Sequence, residues 1–246
     1  MDKVAVVVPF YNMWQLTHAR LYELYEFIKD GIEIILVDDA SPDEEEIKGG
    51  VAWWQKKVSQ HPIRYYRNKE NLGFGGSCNV GARIAFENSD AETVVFLSND
   101  VIIRGDFVSL IKDILFRSPN TLIGGQIIDW RAGWNQVMFE GHEMVVPYAA
   151  GWLLACNKDV WNQLGGFDPR YGRFDYEDVD LSTNATSLGI DLVGLNLSYL
   201  KHLSGATIAT LPIDRMAKTV ENKQKYLEKW EGRWNEIFER LEKANA

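Results

Sequence analysis

The sequence predicts an α/β protein with a mostly parallel β-sheet flanked by helices, and two observations support this prediction. Short apolar runs, of the kind that strands buried on both faces require, recur along the first part of the chain. Each run is followed by a longer segment in which apolar residues recur at helical spacing. Strands that alternate with helices in this way join through right-handed crossovers into a parallel sheet.

The first four strands and the helices between them follow this pattern in order. A helix between the first two strands extends through Leu16, Leu24 and Ile28 to Gly31, and a second helix lies around Trp53. A glycine-rich turn then precedes a third helix. The predicted strands are 4–8, 32–37, 63–66 and 93–97, the turn is 71–76, and the third helix is 77–87.

The second half of the chain follows the pattern less strictly. A loose segment at 129–147 is interpreted as a substrate-facing insertion, and from Arg215 onward apolar residues recur at helical spacing among many charges. This last pattern predicts an amphipathic terminal helix that packs on the domain or on a partner, so a homo-oligomer is left open. The other predicted elements are a helix at 107–116, strands at 122–128 and 152–156, a turn at 164–169, a helix at 175–188, and short strands around Leu192 and Tyr199.

The bulk composition excludes several classes of protein. The chain has 246 residues, with 26 basic and 35 acidic side chains and a net charge of −9, which argues against nucleic acid as a partner. Its start lacks the pattern of a signal peptide, and no apolar run approaches the roughly 20 residues that cross a bilayer. We therefore expect a cytoplasmic chain with no transmembrane segment, and peripheral contact with a membrane through the terminal helix is left open.

Polar residues follow two of the predicted strands at the point where each strand ends. Asp38 and Asp39 come after the second strand, and Asn99 and Asp100 come after the fourth. In open α/β sheets ligands bind at this edge, and a carboxylate there suits a hard divalent cation that also contacts substrate phosphates. Each pair also has a structural interpretation, which for Asp38 and Asp39 is a helix cap with Ser41.

Three further features carry polar groups that a core does not require. The glycines of the turn at 71–76 let backbone N–H groups approach a ligand or let the chain turn tightly. Glu177 and Asp178, at a helix start, supply a general base or stabilise the helix dipole. His202, followed by residues 204–207 (Ser-Gly-Ala-Thr), is a candidate metal ligand or a packing residue.

Taken together and in this order, six motifs resemble those of a GT-A fold glycosyltransferase of the family 2 type. The resemblance covers about residues 4–207. The motifs are Val-Val-Pro-Phe-Tyr-Asn (7–12), Val-Asp-Asp-Ala-Ser (37–41), Asn-Leu-Gly-Phe-Gly-Gly-Ser-Cys-Asn-Val-Gly (71–81), Phe-Leu-Ser-Asn-Asp-Val (96–101), Leu-Gly-Gly-Phe-Asp-Pro (164–169) with Tyr-Glu-Asp-Val-Asp-Leu (176–181), and His-Leu-Ser-Gly-Ala-Thr (202–207).

The resemblance implies a domain organisation and an activity. A GT-A domain would occupy residues 1–210, with a nucleotide-binding half at about 1–100 and an acceptor-binding half at about 101–210, and residues 211–246 would form a helical extension. The activity would be inverting transfer of a sugar from a nucleotide-diphosphate sugar, a UDP- or dTDP-sugar by preference, to an acceptor hydroxyl. The acceptor would be a glycan, a lipid-linked glycan or a protein, in glycan or polysaccharide synthesis.

The resemblance also assigns residues to roles. Asp178 would be the catalytic base with Glu177 beside it, and Asp100 and His202 would hold Mn²⁺ or Mg²⁺. Three tryptophans are candidates to stack on an acceptor sugar, although large aromatics also belong to cores: Trp130, Trp134 and Trp152. The donor would be bound by Pro9, Tyr11, Asp38, Asp39, Asn71, Gly73, Asn99 and Asp100.

One departure from the family pattern leaves an alternative function open. Ser98 stands where the family often has the first acid of its metal-binding motif. The alternative is therefore a GT-A-like protein that binds a nucleotide sugar without transferring it. A nucleotidyltransferase or a nicotinamide-dependent oxidoreductase is disfavoured, because both require glycines directly after the first strand, where this chain has Pro9 to Asn12.

Overall fold

The computed structural model describes residues 3–57, 60–203 and 215–244. The first part of the chain alternates strands and helices, and each of the four strands predicted there is confirmed to within about two residues at either end. The elements are β1 (Lys3–Phe10), α1 (Trp14–Phe27), β2 (Ile32–Asp38), α2 (Glu44–Lys57), β3 (Ile63–Arg67), α3 (Gly73–Asn88) and β4 (Ala91–Leu97).

The second part contains shorter strands and the terminal helices. The elements are β5 (Val101–Ile103), α4 (Val108–Arg117), β6 (Thr121–Gly124), β7 (Ile127–Ile128), β8 (Gln136–Phe139), β9 (His142–Val145), β10 (Tyr148–Ala149), β11 (Leu153–Asn157), α5 (Lys158–Leu164), a 3₁₀ turn (Pro169–Tyr171), α6 (Glu177–Leu188), β12 (Asp191–Gly194), β13 (Leu200–His202), α7 (Arg215–Trp230) and α8 (Trp234–Ala244).

The largest sheet in the described part of the chain has seven strands in the order β12-β6-β11-β4-β1-β2-β3. β1 is parallel to both β2 and β4, and β2 is parallel to β3, whereas β11 runs antiparallel to β4 and β6. This is the mostly parallel sheet that the sequence predicts. The carboxyl ends of β1, β2 and β4 consequently meet at one edge.

Helices cover both faces of the sheet because side chains alternate along each strand. Val6 and Val8 of β1 pack with α1, α2 and α4, whereas Ala5 and Val7 pack with α3, α5 and α6. Helix α3 lies very close to β1, since a Cβ on Gly81 would be 2.2 Å from Val7 Cγ1. The parallel half of the sheet is therefore buried between two helical layers.

The terminal segment forms two helices rather than one, which corrects the single helix predicted from the periodicity. The chain breaks between α7 and α8 at Gly232, whose φ of 77° lies in the left-handed region that favours glycine. Both helices pack on the domain, where Tyr226 and Trp230 are fully buried beside the β8–β9 hairpin. Residues of the 129–147 segment and of the two terminal helices thus belong to one hydrophobic cluster.

Two boundaries differ from the prediction for local reasons. α3 begins at Gly73 instead of Ser77, because the Asp39 carboxylate accepts hydrogen bonds from the free N–H groups of Leu72 and Gly73 at the helix start. The strand predicted at 122–128 is divided into β6 and β7, and β7 pairs with β10 outside the large sheet. The division occurs beside Gly125, where the Trp152 ring occupies the position that a Cβ would take. Within the described residues, no helix is long and apolar enough to cross a membrane.

Candidate active site

A cavity of about 540 Å³ opens at the carboxyl ends of β1, β2 and β4. It brings together twelve of the fourteen residues that the sequence places in the site. They are Pro9, Tyr11, Asp39, Asn71, Gly73, Asn99, Asp100, Trp134, Trp152, Glu177, Asp178 and His202. Asp38 and Trp130 do not line it.

Asp38 lies beneath the cavity and supports its wall. Its fully buried carboxylate accepts hydrogen bonds from the Ser41 N–H at 2.8 Å and the Tyr65 hydroxyl at 2.9 Å, and it pairs with Arg67. These contacts join the end of β2 to β3 and fix the loop that follows. Asp38 therefore does not line the cavity, and it affects the cavity by holding the neighbouring Asp39 in position.

Asp39 fixes the start of α3 at the cavity. Its Oδ1 accepts from the Asn68 amide at 2.9 Å and the Leu72 N–H at 2.8 Å, and its Oδ2 accepts from the Gly73 N–H at 2.9 Å. Gly73 has a φ of 77°, and a Cβ there would lie 2.3 Å from the Gly172 carbonyl oxygen. Only glycine fits where α3 meets the loop before α6.

Gly73→Ala is expected to lower the free energy of unfolding by at least about 1–2 kcal/mol, the cost of a left-handed alanine, with the clash against Gly172 in addition. Gly49→Ala is the matched control, because Gly49 lies inside α2 with no atom within 4 Å of a Cβ. It should raise the free energy of unfolding by about 0.5–1 kcal/mol. Chemical denaturation measures both, and equal effects would contradict the close approach at Gly73.

Asp100 and His202, the candidate metal ligands, lie side by side in the cavity. The His202 Nε2 lies 3.3 Å from the Asp100 Oδ1, and antiparallel pairing of β13 with β5 brings the two residues together. Ser98 donates a hydrogen bond of 2.6 Å to the same Asp100 oxygen, and the Trp152 ring stacks on the imidazole at 5.7 Å. Ser98, which stands where the family often has an acid, thus orients the Asp100 carboxylate through this hydrogen bond. The motif residues 204–207 lie outside the described residues.

The donor set of this pair suits Mn²⁺ or Mg²⁺ bound together with a substrate. Such ions bind one or two protein ligands and take the others from phosphates and water. The structure describes no group of three or more His, Cys, Asp or Glu side chains in residues 3–57, 60–203 and 215–244 that could hold a metal alone. The pair therefore fits a cation that a diphosphate helps to hold. Asn99, beside it, donates instead to Thr17 on α1.

Glu177 and Asp178 begin α6 and face the cavity. Asp178 is held in place because its Oδ2 accepts from the Gly151 N–H and its Oδ1 from the Val179 N–H, each at 2.9 Å. Burial raises the pKa of both carboxyls, and the charge of Asp178 raises the pKa of Glu177 further. The Glu177 Oε2 is buried and accepts no hydrogen bond from any residue that the structure describes.

The raised pKa of Glu177 predicts how stability depends on pH. The folded state binds the Glu177 proton more tightly than the unfolded chain does, so this group lowers stability as pH rises above the ordinary carboxyl range of about 4–5. Glu177→Gln should therefore melt at a higher temperature than the wild type, by an amount that increases from pH 5 to pH 8. Glu92→Gln, at an exposed position on β4, should show no such trend in thermal unfolding.

Several cavity residues were not predicted from the sequence. Gly151 precedes β11 and supplies the N–H that holds Asp178, and Arg173, Asp175 and Arg215 contribute charge to the wall. Arg215 comes from α7, 40 residues beyond Asp175, with which it pairs at 2.7 Å. No local pattern marks these residues, except that an isolated glycine before an apolar run is a weak signal of close backbone approach.

The comparison with family sequences identifies the chain. The sequence model described as Glycosyl transferase family 2 matches residues 5–167, a range that begins within β1, ends after α5 and includes Asp100. The chain therefore belongs to glycosyl transferase family 2. The match ends before Glu177 and Asp178, so it does not test their predicted catalytic role.

Two curated proteins share sequence similarity with this chain. An uncharacterised protein of Mycobacterium tuberculosis is 24% identical over 215 residues, which cover 83% of this chain and 76% of that protein. An uncharacterised glycosyltransferase of Haemophilus influenzae is 26% identical over 117 residues, covering 48% of this chain and 36% of that protein.

Two solved structures share the fold. The mannosyltransferase PcManGT from Pyrobaculum calidifontis, in complex with GDP-Man and Mn²⁺, has a TM-score of 0.59 and 19% identity over 78% of this chain and 54% of its own. GalNAc-T7 with UDP, GalNAc and Mn²⁺ has a TM-score of 0.67 and 14% identity over 96% of this chain and 49% of its own. This chain thus spans about half the length of either structure.

Proposed function

We propose that the chain is an inverting glycosyltransferase that moves a sugar from a nucleoside-diphosphate sugar to an acceptor hydroxyl. The observation that carries the proposal is the convergence of two functional pairs in one cavity, Asp100 with His202 and Glu177 with Asp178. The first pair suits the diphosphate end of a donor and the second suits an acceptor hydroxyl. The complexes of the two neighbours with GDP-Man or UDP, each with Mn²⁺, support a nucleotide donor and a divalent metal.

Different residues of the cavity would bind different parts of such a donor. Pro9 and Tyr11 would line the nucleobase, and Asp39 would accept a hydrogen bond from it. Asn71 and Gly73 would lie near the nucleotide sugar and the diphosphate. Asp100 and His202 would hold Mn²⁺ or Mg²⁺, whose positive charge stabilises the negative charge that develops on the diphosphate as it leaves.

Asp178 would act as the general base. It would accept the proton of the acceptor hydroxyl while the acceptor oxygen bonds to the anomeric carbon and the bond from that carbon to the diphosphate oxygen breaks. The N–H groups of Gly151 and Val179 keep its carboxylate in one orientation. A direct displacement of this kind inverts the configuration at the anomeric carbon.

The acceptor side of the cavity contains two of the predicted tryptophans. Trp134 and Trp152 line it, although Trp152 is also stacked on His202 and fills the space over Gly125. We propose that Trp134 stacks on an acceptor sugar of a glycan, lipid-linked glycan or protein. A UDP- or dTDP-sugar remains the proposed donor, in glycan or polysaccharide synthesis in the cytoplasm, and peripheral membrane contact through the terminal helices stays open.

A screen of nucleotide sugars tests the proposal. Because a ligand that binds only the folded state stabilises it by about 2.7 kcal/mol at 100 times its dissociation constant, the correct donor should raise the melting temperature by several degrees in the presence of Mn²⁺. The same donor should then be hydrolysed slowly, or transferred when an acceptor is added. Stabilisation without hydrolysis or transfer would favour the non-catalytic binding protein, and no stabilisation by any nucleotide sugar would refute donor binding.

A further inference from the structure

Helix α7 packs on the segment that carries the catalytic pair, and all four of its buried side chains make polar contacts there. Its buried side chains are Thr219, Asn222, Tyr226 and Trp230, which lie on one face of the helix. Each of them makes a hydrogen bond to residues 171–183. A helix that only covered a core would bury apolar groups on this face. Every buried side chain of α7 instead makes a hydrogen bond to residues 171–183, so these contacts fix where that segment lies.

The contacts at the far end of α7 anchor it to α6. The Trp230 Nε1 donates to Asp180 Oδ1 at 2.9 Å, and Lys229 donates to the other Asp180 oxygen at 2.7 Å. Near the middle, the Tyr226 hydroxyl lies 2.8 Å from Thr183 Oγ1. α7 and α6 are therefore joined at two positions about one turn of α6 apart, Asp180 and Thr183, which restricts sliding of one helix along the other.

The contacts at the near end hold the residues directly before the catalytic pair. Arg215 binds both Asp175 carboxylate oxygens, at 3.1 and 2.7 Å, and Thr219 donates to one of them. The fully buried Asn222 amide donates to the carbonyl oxygens of Tyr171, Phe174 and Asp175. Both the side chain and the backbone of Asp175 are thus fixed by α7.

The backbone that is held in this way is strained. Asp175 and Tyr176 have φ values of 50° and 76°, two consecutive non-glycine residues in the left-handed region. Such a conformation persists only where surrounding contacts enforce it, and it clusters at functional sites. Here it turns the chain so that Glu177 and Asp178, the next two residues, begin α6 at the cavity.

We propose that α7 is a positioning element of the active site, and that Arg215, through its ion pair with Asp175, is a positioning residue for the Asp178 base. The inference rests on the proposed function for its kinetic consequences, but its structural consequence is independent of any substrate. Arg215 lines the cavity, yet its guanidinium is engaged by Asp175. Its effect on the reaction therefore passes through the 172–178 segment.

Hydrogen exchange measured by mass spectrometry tests the structural part without a substrate. In Arg215→Met the amides of residues 172–178 should exchange at least about tenfold faster, while the strands β1 and β4 remain protected. Lys218→Met is the matched control, since Lys218 lies on the same helix, its substitution removes the same charge, and its pair with Glu221 lies on the exposed face. Unchanged exchange at 172–178 in Arg215→Met would overturn the inference whatever the activity.

Steady-state kinetics with the donor found by the screen test the catalytic part. Arg215→Met should lower kcat by about ten- to a hundredfold, the effect of a misplaced catalytic group, with the KM for the donor unchanged. A rise in KM with kcat unchanged would make Arg215 a donor ligand instead and overturn the inference. Arg215→Lys keeps the charge but cannot span both oxygens, so it should recover only part of kcat.

The pH profile separates a change in charge from general loosening, because loosening would hydrate the buried carboxyls, lower their pKa and shift the acidic limb of kcat to lower pH. Charged and titratable groups from several elements surround the catalytic pair. Asp175 precedes it in the chain and Arg215 comes from α7. Tyr148 lies on β10, Cys78 lies on α3, and Arg173 lines the cavity wall. Asp175 raises the pKa of both carboxyls and Arg215 lowers that of Glu177. Loss of Arg215 should therefore shift the acidic limb of kcat to higher pH, whereas Lys218→Met should leave it in place.

The two proposals fail in distinguishable ways. If wild-type protein transfers no sugar but Arg215→Met still exchanges faster at 172–178, the function is wrong and the positioning role of α7 stands. If transfer is normal and neither exchange nor the pH profile responds to Arg215→Met, the function stands and α7 is only a structural cover.

Discussion

Asp178→Asn is expected to abolish sugar transfer while donor binding persists. General base catalysis contributes about 10²- to 10⁴-fold, and an asparagine amide cannot accept the acceptor proton, so kcat should fall by that factor. The substitution keeps the shape of the side chain, and its oxygen can still accept the N–H of Gly151. Donor affinity, measured by isothermal titration calorimetry, should therefore change less than about threefold.

The appropriate control removes a carboxylate elsewhere. Asp191→Asn makes the same chemical change at an exposed position at the start of β12 and should leave kcat unaltered. Normal turnover by Asp178→Asn would exclude Asp178 as the base. If Glu177→Gln then lost transfer, the role would belong to Glu177, whose buried Oε2 accepts no hydrogen bond within the described residues.

Asp100→Ala is expected to remove the metal-dependent part of donor binding. In the wild type, Mn²⁺ should tighten donor binding, because Asp100 and His202 would hold the cation and its charge would attract the diphosphate. Without the carboxylate, binding in Mn²⁺ should fall to the level that the wild type shows in excess chelator, a loss of roughly tenfold or more. Calorimetric titrations of donor into each protein, with metal and with chelator, measure the difference.

Ser98→Ala provides the graded comparison for this experiment. It removes the hydroxyl that donates to Asp100 Oδ1 but keeps both metal-ligating side chains, so it should weaken metal-dependent binding less than Asp100→Ala does. Full donor affinity of the wild type in excess chelator would contradict metal assistance. Metal dependence that survives in Asp100→Ala would place the cation on other residues.

The sequence predicted the sheet and the cavity edge because their causes are local. A buried strand needs an unbroken apolar run. An acidic residue that directly follows such a strand lies at the edge of the sheet where the strands have their carboxyl ends, as Asp39 and Asp100 do. The order of such ends along the chain then determines which of them meet. For this reason twelve of the fourteen predicted site residues line the cavity.

The remaining features depend on contacts between distant residues that are ordinary in sequence. Nothing near Asp175 reveals that Arg215 will pair with it, and nothing near Gly151 reveals that its N–H will hold Asp178. The start of α3 at Gly73 likewise depends on Asp39, which is 34 residues away. The break between α7 and α8 has a local signal, Gly232, but periodicity alone does not distinguish one long helix from two.

The contacts of Asp39 limit what this carboxylate can recognise. A carboxylate offers about four lone-pair directions, two on each oxygen. The Asn68 amide and the Leu72 N–H occupy those of Oδ1, and the Gly73 N–H occupies one of those on Oδ2. Within the described residues a single acceptor direction therefore remains, enough to accept one N–H of the proposed nucleobase. Because the other three are already satisfied by the protein, that acceptor is preorganised and loses little rotational freedom on binding.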